Sequence, residues 1–471
     1  MKALKIACIL SAAIVLFLFA CSKKKPPEPE LPKYKWTILG YFDGNNSADQ
    51  TPDGHSYVIE DLKELEQIDS TEEVQILVML GSFKTDGDCK YYHVKTDSSE
   101  VVLHLGKKDM SDPTSLRDFI GYGIENYPAE HYMLIINDHG RGWKGVCYDA
   151  INGAGNWMDL SELSYALSGF EFDIIWFYTP SMATAEVAYQ IMERAEYMIA
   201  SQFKWYLGNI MGSSVWLPYL TDDPDRDTRL FAYKIAEAID SAARNIEPIR
   251  RFQSVLIHLA RIPQLATHVS NLGRNLIDST GSYWTEVWDA WRGSDIFYDS
   301  DSSFVDLREF ARQLKSQPNL NTTIKNDAEK VETSVSGDYG AVLAKFMYPP
   351  DYKIPSGISI HFPWNQELFD STSYVQLDFS ETNWYSFISI FIQRYSDSYA
   401  GILDIKSIPT GAKVFLNEVY TGYETDAIIR GLIPGGYDVR LVKTGCEDWT
   451  RSIHINAQDS LSYTAWLKCS P

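Results

Sequence analysis

The chain has 471 residues, 45% hydrophobic and 22% charged, a globular composition long enough for two or three folding units. Its formal charge of −21 argues against a nucleic-acid binder, because a protein this acidic offers little to neutralise a phosphate backbone.

Residues 1–20 open with Lys2 and Lys5 and run on as an apolar stretch from Ile6 to Ala20, too short for a comfortable membrane span; they read as an export signal. Leu18-Phe19-Ala20-Cys21 resembles the lipobox of bacterial lipoproteins. That resemblance implies a lipid anchor on Cys21 and, with Ser22 next in line, attachment to the cell envelope at the outer membrane or cell surface. An uncleaved signal anchor or a plain secretory signal is the alternative. Residues 21–35 carry Lys23 to Lys25 and then Pro26, Pro27, Pro29 and Pro32, which predicts an extended tether between membrane and globular part.

From Trp36 the hydrophobic pattern alternates strand and helix. Trp36–Tyr41 predicts a first strand, the stripe Ile59, Leu62, Leu65 and Ile68 a helix, and Val74–Leu80 a second strand. Tyr91–Val94 and Glu100–Leu105 predict a hairpin. Asp112-Pro113, a cap followed by a first-turn proline, starts a helix that turns Leu116, Phe119, Ile120 and Ile124 inward. Tyr132–Ile136 is a buried strand, after which glycines at 140, 142, 145, 153 and 155 predict a flexible surface loop. Asp159 with Glu162 caps a short helix to Leu167, Phe172–Tyr178 is a further strand, Met182–Glu196 is helical in composition and Tyr197–Ser201 is a strand. This alternation implies an α/β fold with a mostly parallel sheet flanked by helices. Helices over Thr228–Asn245 and Pro263–Asp278 belong to an expected helical or irregular insert at about 222–345, Gly357–Phe362 returns as a strand, and Trp384–Ile392 closes the unit as a helix.

Two strand exits carry the chemistry, because open α/β sheets place their sites at the carboxyl ends of their strands. Tyr132–Ile136 ends in Asn137-Asp138-His139-Gly140, and Phe172–Tyr178 ends in Thr179-Pro180-Ser181-Met182-Ala183. Asp138-His139-Gly140 resembles the catalytic-histidine motif of the clostripain family, cysteine peptidases with a caspase-like fold. The family's nucleophile motif is Phe-Asp-Ala-Cys-Leu-Met-Ala. Here Phe177, Met182 and Ala183 match it, while Tyr178 stands in the Asp position and Pro180 in the Cys position. Tyr41–Asn46, Val255–Ala260, Phe304–Phe310, Gly357–Pro363 and Trp384–Phe391 resemble further family segments, so the resemblance covers residues 36–395.

That resemblance implies a retained base, His139, and a retained backbone oxyanion donor, Gly140, beside a position that has lost its nucleophile. Proline has neither a reactive side chain nor an N–H. Losing the donor costs roughly 3 kcal/mol of transition-state stabilisation, and losing the nucleophile of a catalytic triad costs on the order of a millionfold in turnover. Tyr178, with Gln202 and Phe203 after the next strand, replaces acidic family residues that accept Arg or Lys. The expectation is a pseudopeptidase that binds a peptide or protein without cleaving it. Trp176, Tyr178, Phe203, Trp205 and Tyr206 are expected near the cleft, where aromatic side chains would supply contact area at low entropic cost; core packing accounts equally well for Trp176. One alternative is an active peptidase in which Cys147 or Ser181 serves His139; another is a structural or adhesive surface lipoprotein acting through its C-terminal part. No cofactor is implied, and no Cys/His spacing suggests zinc.

Residues 400–471 change character: short strands at Ile402–Lys406, Lys413–Leu416, Gly436–Val442 and Ser452–Ile455 predict a small all-β module. Ser407–Val414, the Gly422 turn and Leu432–Tyr437 resemble the PEGA domain, with Gly445-Cys446 where that family usually has Gly-Tyr. The resemblance implies binding or spacing without chemistry. Cys446 with Cys469, both in this module, is the expected disulfide in an exported protein. Cys89 and Cys147 fit either a further pair or isolated buried thiols.

Overall fold

The computed structural model describes residues 33–49, 54–68, 70–202, 211–244, 252–279, 283–299, 302–348, 355–363, 368–398, 401–417, 419–432, 435–456 and 459–469. The expected export signal, Cys21, most of the expected tether, and Phe203, Trp205 and Tyr206 lie outside them.

The chain begins with β1 (Tyr34–Gly44), helix α1 (Tyr57–Glu66) and β2 (Val74–Ser82), followed by the hairpin of β3 (Asp88–Lys95) and β4 (Ser98–Lys107). Helix α2 (Pro113–Asn126) leads to β5 (Ala129–Asn137), the small hairpin of β6 (Val146–Asp149) and β7 (Asn156–Met158), and α3 (Leu160–Leu167). Next come β8 (Phe172–Tyr178), α4 (Ala185–Ile191), β9 (Ala195–Ala200), α5 (Ser213–Thr221), α6 (Thr228–Ala243), β10 (Phe252–His258) and α7 (Ile262–Asp278). Helix α8 (Trp284–Arg292), β11 (Ile296–Asp299), β12 (Ser302–Asp306), α9 (Leu307–Ser316), α10 (Thr322–Val335), β13 (Val342–Tyr348), β14 (Ser359–His361), α11 (Ser371–Tyr374) and α12 (Asn383–Ser398) complete the body.

Nine strands form the central sheet in the order β13-β10-β9-β8-β5-β1-β2-β3-β4. Its middle is parallel, with β2, β1, β5, β8 and β9 running together, and each edge is extended by antiparallel strands. Period-two alternation sorts the strand side chains between two cores. Leu39, Tyr41, Leu134, Ile136, Ile175 and Phe177 face α2, α3, α4 and α7, while Trp36, Ile38, Met133, Ile135, Ile174 and Trp176 face α1, α5 and α6. Helices on both faces explain why the central strands read as unbroken apolar runs.

Two expectations change. The stretch 222–345 is not a separate insert, since β10 and β13 within it join the main sheet and α6 and α7 cover opposite faces. The glycine-rich stretch after β5 is not a flexible surface loop; it folds into the β6–β7 hairpin with Trp143, Val146, Cys147, Asp149 and Met158 buried. The glycines there serve close approach: a Cβ on Gly145, which has φ +121°, would lie 2.2 Å from the Met158 carbonyl oxygen.

The C-terminal module stacks a sheet of β15 (Gly401–Ile408), β18 (Ala427–Leu432) and β21 (Ser460–Trp466) on one of β16 (Lys413–Leu416), β17 (Val419–Glu424), β19 (Gly435–Val442) and β20 (Trp449–Ile455). Cys446 and Cys469 form a disulfide, while Cys89 and Cys147 are free and buried. Buried Leu403, Ile405, Ile429 and Leu432 of the module join the same apolar cluster as Phe387 and Phe391 of α12, and Arg292 donates to the Gly436 carbonyl at 3.0 Å.

Candidate functional site

Strands β5 and β8 pair in parallel, and their last partners are Asn137 and Tyr178; two residues further along each chain stand His139 and Pro180. The turns that follow are in contact. A Cβ built on Gly140 would lie 2.4 Å from the Pro180 carbonyl oxygen and 2.9 Å from Thr179 Oγ1, so only glycine fits there. Pro180 is buried, and Ser181 after it has φ +63°, the pairing that a type II turn takes with proline at its second position. Gly140 and Val146 form an antiparallel bridge closed by Cys147 N–H to His139 C=O and Arg141 N–H to Gly145 C=O, which leaves the Gly140 N–H outside that ladder.

His139 is half-buried, and its Nε2 lies 3.1 Å from Ser47 Oγ, an exposed hydroxyl delivered by the exit of β1 on the other flank of β5 from β8. Tyr148 and Trp157 of the β6–β7 hairpin wall the imidazole, with ring centroids 6.1 and 6.4 Å away. The two rings sit 5.0 Å apart, and the Arg141 guanidinium lies 4.8 Å over Trp157. Together these residues make a half-open aromatic ledge at the carboxyl edge of the sheet.

Beneath it, Asp43 and Asp138 are fully buried and share a hydrogen bond. Burial pushes both carboxyls well above the usual range, and the nearby charges add to the effect on Asp43. Asp138 also accepts from the His139 N–H, the Tyr148 N–H and Asn46 Nδ2, the last at 2.7 Å, so the shared proton rests on Asp43. Asn46 Nδ2 bonds the Tyr148 carbonyl at 2.8 Å as well, and its Oδ1 accepts the Ala48 N–H at 2.8 Å. One asparagine therefore ties the exit of β1 to the exit of β5 and to the hairpin.

Other residues expected at a cleft are placed differently. Tyr178 is 1% exposed and Trp176 is fully buried; they pack on each other at 5.2 Å and Trp176 packs on Trp216 at 6.0 Å, because even positions of β8 face the α5–α6 layer. Gln202 is fully buried and committed internally. Its N–H and Oε1 bond Gln253, its Nε2 bonds Asp306 at 3.1 Å, and its Oε1 accepts the Gly357 N–H at 2.7 Å. Cys147 is adjacent to His139 through the backbone, but its thiol is buried in the layer of Tyr41. Burial, with the Asp138 and Asp43 charges, raises its pKa well above the usual thiol range. The Ser181 carbonyl faces Gly142, where a Cβ would lie 3.2 Å from it. A hydroxyl that does meet the imidazole is that of Ser47. Sequence reasoning missed Ser47, Tyr148 and Trp157; each lies close to a residue it did single out, but only the tertiary fold turns them toward His139. Among the described residues no cluster of His, Cys, Asp and Glu is arranged to hold a metal ion.

The sequence model of the clostripain family matches residues 41–398. The chain belongs to the clostripain family. A PEGA domain model matches residues 400–470. The clostripain of Hathewaya histolytica is 31% identical over an alignment of 121 residues that covers 23% of this chain and 22% of that protein. A secreted C11 cysteine protease from Bacteroides thetaiotaomicron, solved with an irreversible peptide inhibitor, superposes with a TM-score of 0.55 at 19% identity, covering 76% of this chain and 99% of the other. An inactive zymogen C11 protease from Parabacteroides distasonis gives 0.54 at 21% identity, covering 74% and 99%. In this clostripain-family fold the half-open ledge beside His139 is walled by Tyr148 and Trp157, while Tyr178 is packed into the core of the sheet.

Among the described residues no helix is long and apolar enough to cross a membrane.

Proposed function

We propose that this clostripain-family chain has lost the family's thiolate chemistry and binds an extended peptide or protein segment at the sheet edge. The observation that carries the reading is Pro180 beside Gly140 and level with His139, where the family motif has its cysteine. Proline there supplies neither thiolate nor N–H. The Cys147 thiol is buried and held protonated, which supports the same conclusion. The ledge of His139, Tyr148 and Trp157 offers the aromatic, partly wetted surface that peptide recognition uses. Tyr178 in place of an acidic residue removes the charge that would select Arg or Lys. Export and lipid attachment at Cys21 belong to this proposal, with residues 21–35 as the tether to a body over 36–395 and a module over 400–471.

The test is a peptide-display selection on the purified protein, followed by calorimetry of the enriched peptides. Enriched peptides should bind wild type, remain uncut, and lose about tenfold or more in affinity on Tyr148→Ala or Trp157→Ala, a loss of about 1.4 kcal/mol. Peptides that bind equally well to both variants would refute the site.

A second reading has its own observation. On the outer face of the module Trp466 is 71% exposed and paired in register with Ile408, itself 46% exposed. A large aromatic left bare on a sheet face supports an adhesive role for the module. Binding that disappears with Trp466→Ala and survives both ledge variants would select this reading.

A further inference from the structure

We infer that Ser47 and His139 form a nucleophile–base dyad that accepts an acyl group from peptide esters bound on the ledge. The inference rests on the reading that the sheet edge still admits a peptide carbonyl, and it adds an activity to that reading. The nucleophile has changed flank: instead of arriving from β8, where Pro180 stands, it arrives from β1 on the opposite side of the same histidine.

Three features carry it. Ser47 Oγ is 3.1 Å from His139 Nε2, within the reach expected of a serine and its base, and Ser47 is exposed while the imidazole is half-buried. The distance is set by the backbone on both sides. Asn46, the residue before Ser47, donates to Asp138 Oδ1 at 2.7 Å and to the Tyr148 carbonyl at 2.8 Å, and Asp138 is the residue before His139. The His139 carbonyl is held in turn by the Cys147 N–H at 3.1 Å. A nucleophile and base fixed through neighbouring backbone bonds are pre-organised, which two mobile surface side chains are not. Finally, Tyr148 and Trp157 border the imidazole and give the substrate's side chain an apolar and aromatic seat. The substrate class is therefore an ester of a short peptide with an aromatic or aliphatic residue next to the carbonyl.

In the step, Ser47 Oγ forms a bond to the acyl carbon and its proton passes to His139 Nε2. The tetrahedral adduct expels the alcohol, which takes the proton from His139, leaving an acyl ester on Ser47. Water then attacks that ester, giving its proton to His139, and the serine is regenerated with release of the acid. With Gly140 packed against Pro180 on the β8 flank, the step is credited with no oxyanion-hole donor, and one missing donor costs about 10²–10³ in rate. Acylation should be slow and read over hours.

The experiment incubates the full exported chain with a fluorophosphonate probe, which phosphonylates the serine with loss of fluoride, and maps the adduct by peptide mass spectrometry. A single adduct on Ser47 is expected, with at least a tenfold fall in labelling rate in Ser47→Ala and in His139→Gln, and unchanged labelling in Ser181→Ala and Cys147→Ser. Ser47→Cys should lose the fluorophosphonate adduct and gain a chloroacetamide adduct at position 47, a readout that is independent of how well the alanine variant folds. An adduct on Ser181, or a Ser47 rate that His139→Gln leaves unchanged, would overturn the dyad. Absence of labelling in a protein that still binds its selected peptides would refute the acylation alone. Loss of peptide binding with Ser47 still labelled would refute the peptide-site reading alone.

Discussion

Tyr178→Ala probes whether the cation-accepting position of the family has been converted into part of the core. The phenol ring is 1% exposed and lies 5.2 Å edge-on to Trp176, which in turn abuts Trp216. Burial of an aromatic side chain removes about 150–250 Å² from water, which at about 25 cal/mol per Å² corresponds to about 4–6 kcal/mol. Truncations of buried aromatic rings to alanine cost about 3–5 kcal/mol, because the site relaxes in part. The expectation for Tyr178→Ala is about 3–5 kcal/mol of lost stability, measured by urea denaturation, with Tyr178→Phe within about 1.5 kcal/mol of wild type. Phenol added to the alanine variant should restore part of the loss by filling the cavity, in proportion to its saturation. A loss below about 1 kcal/mol, or no response to phenol, would mean that the ring does not plug the sheet edge and that the reasoning from burial is wrong.

Pro180→Cys should give measurable cleavage in a fluorogenic peptide assay; a folded but inert variant would count against a preserved His139 and Gly140 geometry. In the native protein Cys89 and Cys147 should resist aromatic disulfide reagents at pH 8 and react after unfolding, because burial lifts the Cys89 thiol to about 12 and the Cys147 thiol well above its usual range. Prompt native-state titration of either would refute this. Asp43 keeps its proton when folded at pH values where an unfolded aspartate has lost it. The folded state thus binds more protons, and this group's stability contribution is complete below about pH 4 and falls by up to about 1.4 kcal/mol per pH unit above it. Asp43→Asn, a neutral mimic, should gain on wild type between pH 4.5 and 7 in denaturant titrations; an unchanged difference across that window would remove the shared proton.

The parallel centre of the sheet and the meeting of the His139 and Pro180 turns were legible because the strands are long apolar runs whose polar exits fall at one end. Less legible was anything decided by which way a turn folds back. Glycines at 140, 142 and 145 read as freedom, yet they are spent on tight contacts that bring Tyr148 and Trp157 against the imidazole. Ser47 is anonymous in the sequence, being one hydroxyl in a polar strand exit; its position depends on Asn46 finding Asp138, 92 residues away. Tyr178 and Gln202 were placed in a pocket by resemblance, but strand alternation sends the first inward and a four-bond network absorbs the second.

The buried apolar cluster that runs from α12 into β15 and β18 packs the body and the module into one core. Trimming the chain at Gly401 would take Leu403, Ile405, Ile429 and Leu432 out of that cluster, so a deletion phenotype would report loosened packing of the body as much as absence of the module. Tests of the module therefore call for point changes at the bare Trp466 face rather than for its removal.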